Sequence, residues 1–332
     1  MPTGWDVARA AGVSQTTVSR TLRGDPSVKP GTREHVLAVA RDLGYSPNEA
    51  ARSLITNRTS TVAMVVADIT NPLYPQEISV AHAELSAAGY RMMLFNRGRD
   101  DDMPDLDTLR GNAVDGVLFA AATLDSPAVA GLVRSGTPVV LLNRDVDGLD
   151  IDRVLPDEHR AGELAARYLT GLGHRRIALL AGHPDTSSGR DRRSCSARAL
   201  RDLGHPLEPE LVLPAGFSHA EGHRCATALL DRPDPPTAVL CHSDAAAYGV
   251  LDAARGRGLH VPGDLSVLGF DDLAMSGWSM IRLTTIRQPV TDMARTAVHA
   301  LLAHIENPGQ HTPQRRVFDV ELVERDTCGP PR

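Results

Sequence analysis

Lysine, cysteine and long apolar runs are all scarce in this chain of 332 residues. Lys29 is the only lysine beside 34 arginines, so a single arginine carries little information about function by itself. The longest apolar runs, such as residues 62–67 and 117–122, are far shorter than the roughly 20 residues of a membrane-spanning helix. The first residues enter a polar, helix-like pattern without the apolar stretch of a secretory signal. We therefore expect a cytoplasmic protein without a membrane partner.

The spacing of the cysteines and the absence of common enzyme motifs argue against a metal site or an active site. The cysteines form no CxxC pair and no histidine lies at zinc-ligand spacing, so we expect inert thiols and no metal. The sequence has no glycine-rich phosphate loop, no dinucleotide-binding motif and no HExxH or GxSxG run. We expect no catalytic residues and no cofactor, and hence a protein that is not an enzyme.

Charge is divided unequally along the chain. The first 60 residues carry eight basic and five acidic side chains, whereas the remainder carries 27 basic and 36 acidic ones. A small basic module joined to a larger acidic body is typical of a nucleic-acid-binding head with a separate globular domain. A solvated helical surface would have the same charge, so this imbalance is only a first indication.

Residues 3–22 have the pattern of two short helices around a tight turn. Thr3 can cap the first helix, Gly12 ends it, and Ser14 can cap the second. This arrangement predicts a helix-turn-helix.

The second of these helices has an apolar and a polar side. At about 100° per residue, Val18 and Leu22 point inward, whereas Gln15, Thr16 and Arg20 point outward. The outward residues match base edges in the major groove, because glutamine pairs with adenine, arginine with guanine and the threonine methyl group with thymine. An ordinary helical hairpin whose polar side contacts water is the alternative.

The N-terminal region closely resembles the DNA-binding segment of the LacI/GalR family of bacterial transcription regulators, through DVARAAGVSQTTVSRTLRG (6–24) and TREHVLAVARDLGYSPNEAARSL (32–54). The resemblance places Gln15, Thr16 and Arg20 at base-reading positions. It also implies that residues 48–54 form a hinge helix that orders on DNA, with Leu54 wedged into the minor groove. Contacts to phosphates, which fix the register without reading sequence, are expected from Ser19, Asn48 and Arg52.

From residue 60 onward, short apolar runs alternate with amphipathic segments, which is typical of a parallel α/β architecture. The expected strands span residues 62–67, 91–96, 116–121, 139–142, 176–181, 238–241 and 265–269. The expected helices span residues 75–88, 126–135, 159–172, 220–230, 244–257 and 290–305. Two sets of strands separated near Asp157 predict two doubly wound subdomains, with a ligand in the cleft between them.

The body of the chain also resembles the LacI/GalR family, which shares this core with periplasmic sugar-binding proteins. The runs that carry the resemblance are ITNPLY (69–74), GHRRIALLAG (173–182), VPGDLSVLGFDD (261–272) and LTTIRQP (283–289). The resemblance therefore covers residues 3 to about 327. By position, it implies effector contacts from Leu73, Tyr74, Asn143, Arg192, Phe217, Ser243 and Asp271.

We expect Asp271 and Arg192 to hold the effector most directly. A carboxylate accepts and a guanidinium donates hydrogen bonds, so the pair can clasp vicinal hydroxyl groups of a sugar, with Tyr74 and Phe217 against its apolar faces. In the alternative, Asp271 is a turn residue and Arg192 is one of many surface arginines. The effector itself is not implied, because Cys195 and its neighbour differ from the family's usual glycine and aromatic residue at this place.

The sequence therefore predicts an N-terminal all-α helix-turn-helix domain (1–47), a hinge helix and linker (48–60), and an α/β core like that of periplasmic binding proteins (61–332). The core would have two doubly wound parallel-sheet subdomains, one of residues 61–158 and 290–318 and the other of residues 159–289 and 319–332. We expect a homodimeric regulator, a repressor, that binds double-stranded operator DNA under the control of a sugar or polyol. A solute-binding receptor without DNA regulation is the alternative.

Overall fold

A computed structural model of the chain describes residues 2–22, 25–45, 58–97, 109 and 113–332. The chain divides into two compact units, Met1–Thr59 and Ser60–Arg332. The predicted hinge residues Asn48, Arg52 and Leu54 lie outside the described residues. The predicted domain boundaries, with a hinge at 48–60, therefore stay predictions.

The N-terminal unit contains the helices α1 (Gly4–Ala11), α2 (Gln15–Leu22) and α3 (Pro30–Asp42). Helix α1 begins with a capping box, in which the Thr3 amide donates to Asp6 Oδ2 at 2.8 Å and Thr3 Oγ1 accepts from the Asp6 amide. It ends at Gly12, whose φ of +64° is left-handed and favours glycine. The helices share a small apolar core of Val7, Ala8, Ala11, Val18, Val36 and Ala40.

The strands of the first sheet of the larger unit are β1 (Thr61–Val66), β2 (Arg91–Asn96), β3 (Gly116–Phe119), β4 (Val139–Leu142), β5 (Asp152–Pro156) and β11 (Arg315–Phe318). They are all parallel and lie in the order β11-β5-β4-β3-β1-β2. Helices α4 (Leu73–Ala87) and α10 (Val290–Glu306) pack on one face, and α5 (Pro127–Arg134) packs on the other. Because both faces of β1, β3 and β4 are buried, their sequences are unbroken apolar runs.

The second sheet has the order β12-β10-β9-β8-β6-β7, with strands β6 (Ile177–Ala181), β7 (Val212–Pro214), β8 (Ala238–Cys241), β9 (Ser266–Asp271), β10 (Thr284–Arg287) and β12 (Glu321–Val323). Strand β12 is antiparallel to β10, and the other pairs are parallel. Helices α6 (Glu158–Gly171) and α7 (Ser187–Asp202) pack on one face, and α8 (His219–Leu230) and α9 (Asp244–Gly256) on the other. Short 3-10 turns lie at Pro209–Leu211 and Ala274–Gly277.

The chain passes from one sheet to the other after β5, after β10 and after β11. The predicted α/β architecture of two sheets is confirmed, and the expected strands and helices agree with the observed ones to within about two residues at each end. The sequence analysis missed β5, β7, β10, β11, β12 and α7. Those strands are short or mixed in polarity, so an apolar run does not mark them.

Candidate DNA-reading face and effector cleft

Helix α2 has the polar surface that the sequence predicts. Val18 is buried in the core of the N-terminal unit, and Leu22 packs against that core. Ser14 Oγ accepts from the Thr17 amide at 3.1 Å and so caps the start of the helix. The exposed residues of α2 include the expected DNA contacts Gln15, Thr16, Ser19 and Arg20.

Among the described residues of the N-terminal unit, the side chain of Arg20 makes only a loose ion pair. Its Nε lies 4.0 Å from Asp25 Oδ2, and its side chain is about half exposed. An exposed pair at that distance contributes little to stability, so the guanidinium is free to change partner at small cost.

Arg192 is buried, although it lies on the polar helix α7. Its Nε donates to both carboxylate oxygens of Glu158 at 2.9 and 3.0 Å, and its Nη1 donates to the carbonyl of His242 at 2.8 Å. The guanidinium also lies 3.6 Å from the centroid of the Phe270 ring. Arg192 is therefore not the surface arginine of the alternative interpretation.

Asp271 is the last residue of β9 and is also buried. Its φ of 124° is unusual for a residue with a side chain, and such strain is typical of functional sites. Oδ1 accepts from Gln288 Nε2 at 2.7 Å and lies 3.9 Å from Arg192 Nη1. Burial raises the pKa of Asp271 above its usual range although Arg192 lowers it, and the nearby Asp244 raises it further.

Glu158, at the start of α6, is a second acid beside Arg192. Burial raises the pKa of Glu158 to about 7, although the charge and hydrogen bonds of Arg192 oppose that shift. The structure thus places one buried guanidinium between the buried carboxyl group of Asp271 and the half-buried one of Glu158. The sequence pattern does not mark Glu158, because an acidic residue at the start of a helix is ordinary capping chemistry.

Asn143 and Tyr74 belong to the opposite, first subdomain. Asn143 follows β4 with a φ of 55°, and its buried Oδ1 has no hydrogen-bond partner within the described ranges. The next residue, Arg144, donates from Nη2 to Tyr74 Oη at 3.3 Å, and Tyr74 Oη donates to the Ala120 carbonyl at 3.4 Å. Arg144 is therefore a further candidate residue of the cleft that the sequence analysis missed.

Leu73 and Ser243, two of the predicted effector contacts, have structural roles in the core. Leu73 packs with Leu273 and Val290 in a small apolar cluster. Ser243 Oγ accepts from the Ala246 amide at 3.2 Å and caps α9. Neither residue lines the cavities described next, so their predicted effector contacts stay predictions.

A cavity of about 290 Å³ lies between the two subdomains, and Tyr74 and Phe217 are the predicted residues in its lining. The Phe217 ring lies edge-on to His183, with 5.5 Å between centroids, and 5.6 Å from the Arg144 guanidinium. Gly182 makes room for Phe217, since a Cβ at this position would lie 2.3 Å from the ring. Polar lining residues that the sequence analysis missed include Asn71, Arg97, Arg144, His183 and Glu221.

A second cavity of about 330 Å³ is lined by Asn143 and Glu158, among others. Arg192 lines neither of these two cavities, but it borders a small pocket of about 10 Å³ together with Glu158 and His242. The structure therefore brings Arg192 and Asp271 together, and Tyr74 and Phe217 together, but it does not bring all seven predicted residues into one cavity.

The two walls of the cleft contact each other directly. Asp145 donates its amide to Ser187 Oγ at 2.7 Å, and Leu124 donates its amide to the Asp185 carbonyl at 2.8 Å. Bridges that also join the walls are Asn71 Nδ2 to the Phe217 carbonyl and Arg190 to Asp147. The described cleft is thus closed by hydrogen bonds between the subdomains.

Several buried polar atoms around the cleft have no hydrogen-bond partner in the described part of the chain. They include both donors and acceptors: Glu77 Oε2, Asn143 Oδ1, Arg144 Nε, Ser188 Oγ, Arg192 Nη2, His242 Nε2 and Gln288 Oε1. Burial lowers the pKa of His242 to about 3, so that ring is neutral. Each unmatched buried group costs about 1–3 kcal/mol, which a ligand with its own donors and acceptors can offset.

The comparisons with known proteins agree with this architecture. Residues 5–48 match the family described as "Bacterial regulatory proteins, lacI family", and residues 166–328 match "Periplasmic binding protein-like domain". The HTH-type transcriptional regulator DegA of Bacillus subtilis is 32% identical over 331 residues, which cover 98% of each chain.

Solved structures extend the similarity to the whole fold. The structure of a transcriptional regulator CelR–cellobiose complex is 32% identical, with a TM-score of 0.75 over 98% of this chain and 100% of that one. One of the lac repressor dimer, bound to operator and the anti-inducer ONPF, is 26% identical, with a TM-score of 0.86 over 98% of both chains.

A helix-turn-helix head and a periplasmic-binding-protein-like core define a ligand-controlled, DNA-binding transcriptional regulator. The chain belongs to the LacI family of bacterial regulatory proteins. The matched relatives are regulators and not enzymes, which agrees with the expectation from the sequence. Among the helices in the described residues, none combines the length and the apolar character needed to cross a membrane.

Proposed function

We propose that this chain acts as a homodimeric repressor whose affinity for operator DNA is set by a sugar or polyol bound between the subdomains of the core. The observation that carries the proposal is the buried Arg192, held between Glu158 and Asp271 beside polar atoms without partners. A polyhydroxylated ligand supplies donors and acceptors together, which is what such a mixed set of buried atoms requires.

Within this site, Asp271 accepts a hydrogen bond from one hydroxyl group of the ligand, and Arg192 donates to another. Asn143 Oδ1 accepts from a hydroxyl group on the side of the first subdomain, because this buried oxygen has no other partner. Phe217 and Tyr74 contact the apolar faces of the sugar ring from the cavity of about 290 Å³. The size of this cavity is at the lower end of the range of small-molecule sites.

On DNA, one α2 helix of each protomer enters a major groove, where Gln15, Thr16 and Arg20 read base edges. Ser19, Asn48 and Arg52 contact phosphates and fix the register. Leu54 inserts into the minor groove at the centre of the operator and bends the duplex. These assignments come from the position of each residue in the family pattern.

The ligand controls DNA binding by changing the angle between the two subdomains. A ligand that contacts Asp271 on one side and Asn143 on the other changes the free energy of the closed cleft relative to an open one. The hydrogen bonds between Asp145 and Ser187 and between Leu124 and Asp185 must then shift or strengthen. The chain crosses between the subdomains at three places, after β5, β10 and β11. A rotation of one subdomain against the other therefore also moves the chain segments that follow these three crossings. A regulator of chromosomal operators works in the cytoplasm, where we place this protein.

The proposal is tested by finding the ligand and measuring its effect on DNA. Purified full-length protein is heated in the presence of monosaccharides, disaccharides, polyols and nucleosides, and a compound that binds only the folded state raises the midpoint of unfolding. At a concentration of 100 times the dissociation constant, the gain is about 2.7 kcal/mol. Operator sequences are selected from random DNA with and without the stabilising compound.

The proposal requires that a polyhydroxylated compound stabilises the protein and changes its affinity for the selected operator. If the only stabilising compounds lack vicinal hydroxyl groups, the assignment of the clasp is wrong. If the protein selects no sequence, with or without ligand, the assignment of the α2 face is wrong.

A further inference from the structure

A group of side chains that could bind a metal ion lies in the first subdomain, away from the residues of the cleft. Asp152 is the first residue of β5, His304 lies near the end of α10, and His311 precedes β11. One possible ligand atom from each residue lies within 4.8 Å of the others. The three residues come from distant parts of the sequence, so no spacing motif marks them.

The Asp152 carboxylate is buried and oriented by its own partners. Oδ1 accepts from the Gln314 amide at 3.1 Å and lies 3.5 Å from Arg316 Nη1. Oδ2 faces His311 Nε2, with which it forms a hydrogen bond. One oxygen is therefore fixed by the protein, and the other is directed toward the histidines, as in metal sites whose carboxylates are held by outer partners.

The two histidine rings lie side by side. Their centroids are 4.2 Å apart, and the angle between the rings is 9°. His304 Nδ1 is buried and has no hydrogen-bond partner among the residues that the structure describes. A buried ring nitrogen without a hydrogen-bond partner costs free energy unless a ligand binds to that nitrogen. The stacked ring of His311 cannot donate or accept a hydrogen bond through its face.

We propose that Asp152, His304 and His311 bind a divalent first-row transition-metal ion. Two imidazoles and one carboxylate suit Zn²⁺ and its neighbours, and three protein ligands leave a position for water. To hold one ion, the stacked rings must turn out of their parallel arrangement, because lone pairs in parallel ring planes do not meet at one point. Asp152 Oδ2 and a nitrogen of each ring would then hold the ion, while the Gln314 amide keeps Oδ1 in place. The Arg316 guanidinium near Oδ1 lowers the affinity but leaves Oδ2 available.

The ion would join β5, the end of α10 and the segment before β11. Asp152 begins β5 and His311 lies just before β11, and these two strands pair in parallel and both lead into the second subdomain. His304 adds the end of α10, the helix that packs on the first sheet. Binding should therefore order residues 307–314 against the start of β5.

The test uses the full chain after removal of metal with a chelator, titrated with zinc chloride at neutral pH in a calorimeter. We expect one tight ion per chain. His304→Ala and His311→Ala should each weaken that binding by more than about 100-fold, since loss of even an outer partner of a metal ligand costs roughly 10–100-fold. His311→Gln, which can still bond to Asp152, should weaken zinc binding equally and shows that the effect is not a loss of folding.

The matched control is the double variant His219→Ala/His223→Ala. These residues also form a stacked pair, on the surface of α8, with 6.4 Å between ring centroids. Zinc binding should persist in this variant, and Co²⁺ bound to the wild type should show visible absorption bands that His304→Ala removes. The proposal is overturned if His304→Ala binds zinc as tightly as the wild type, or if the tight site disappears in the control variant.

Discussion

Nη1 of Arg192 lies 3.9 Å from Oδ1 of Asp271, and Nε of the same guanidinium donates to Glu158. One buried cation therefore serves two acids, the buried Asp271 at the end of β9 and the half-buried Glu158 at the start of α6. Because a single positive charge cannot compensate both carboxylates after desolvation, the pKa values of both acids are raised. The arrangement favours a ligand whose hydroxyl groups bind to either protonation state of these acids.

Asp271→Asn should abolish the response to the effector while operator binding without effector survives. The amide keeps the size of the side chain and can still accept from Gln288, but one carboxyl oxygen is replaced by an NH2 group, which cannot accept a hydrogen bond from a ligand hydroxyl group. We expect effector binding to weaken by about 1–3 kcal/mol, as measured by calorimetry. Asp326→Asn, at an exposed ion pair with Arg282 in the same subdomain, should leave effector affinity unchanged. A normal response to the effector in Asp271→Asn would show that Asp271 and Arg192 do not clasp its hydroxyl groups.

Arg20→Ala should weaken binding to the selected operator by about 1–3 kcal/mol and relax the preference at one base pair of each half-site. The physical reason is the loss of two hydrogen bonds to one base edge. Fluorescence anisotropy on operators with single base changes gives the measurement. Arg9→Ala, on the exposed surface of α1, is the control and should not change the base preference. An equal loss on every DNA sequence in Arg20→Ala would assign this arginine to phosphate contact instead.

Glu77→Gln should change how stability depends on pH. Burial raises the pKa of Glu77 from 4.5 to about 8, and its Oε2 has no hydrogen-bond partner among the described residues. An acid whose pKa is raised on folding stabilises the fold fully at low pH, and this contribution is lost as the pH rises through the folded pKa. Between about pH 5 and 8, the wild type should therefore lose up to about 1.4 kcal/mol of unfolding free energy per pH unit from this group.

Glutamine has no charge to desolvate, so the variant should be more stable than the wild type at pH 8 and nearly equal to it at pH 5. Urea unfolding at both pH values measures the difference. If the two proteins keep the same difference in stability at pH 5 and pH 8, Glu77 does not titrate in this range and its carboxylate is matched in the folded state.

Much of the architecture could be predicted from the sequence because the central strands are buried on both faces. Runs such as Val62–Val66 and Val139–Leu142 are apolar without interruption, and their positions were correct. Strand β11, by contrast, begins with two arginines and is half exposed, so only its pairing with β5 identifies it as a strand. Edge strands of this kind have no apolar run to predict them.

The candidate site could be predicted only in part, for a related reason. Helix α7 carries Arg192, but Leu200 is the one large apolar residue among its six buried residues. Without an apolar period, the pattern predicts neither the helix nor the burial of the arginine. The family resemblance identified Arg192 where the residue pattern could not. Arg144 and Glu158 were missed because their roles depend on contacts between elements that are distant in the sequence.

The central claim is that filling the cleft and binding DNA are coupled, and a linked pair of titrations tests it most directly. Operator affinity is measured with and without saturating effector, and effector affinity is measured with and without saturating operator. The account predicts that both ratios differ from one and are equal, because coupling between two sites is reciprocal. An effector that binds tightly and leaves operator affinity unchanged would contradict it.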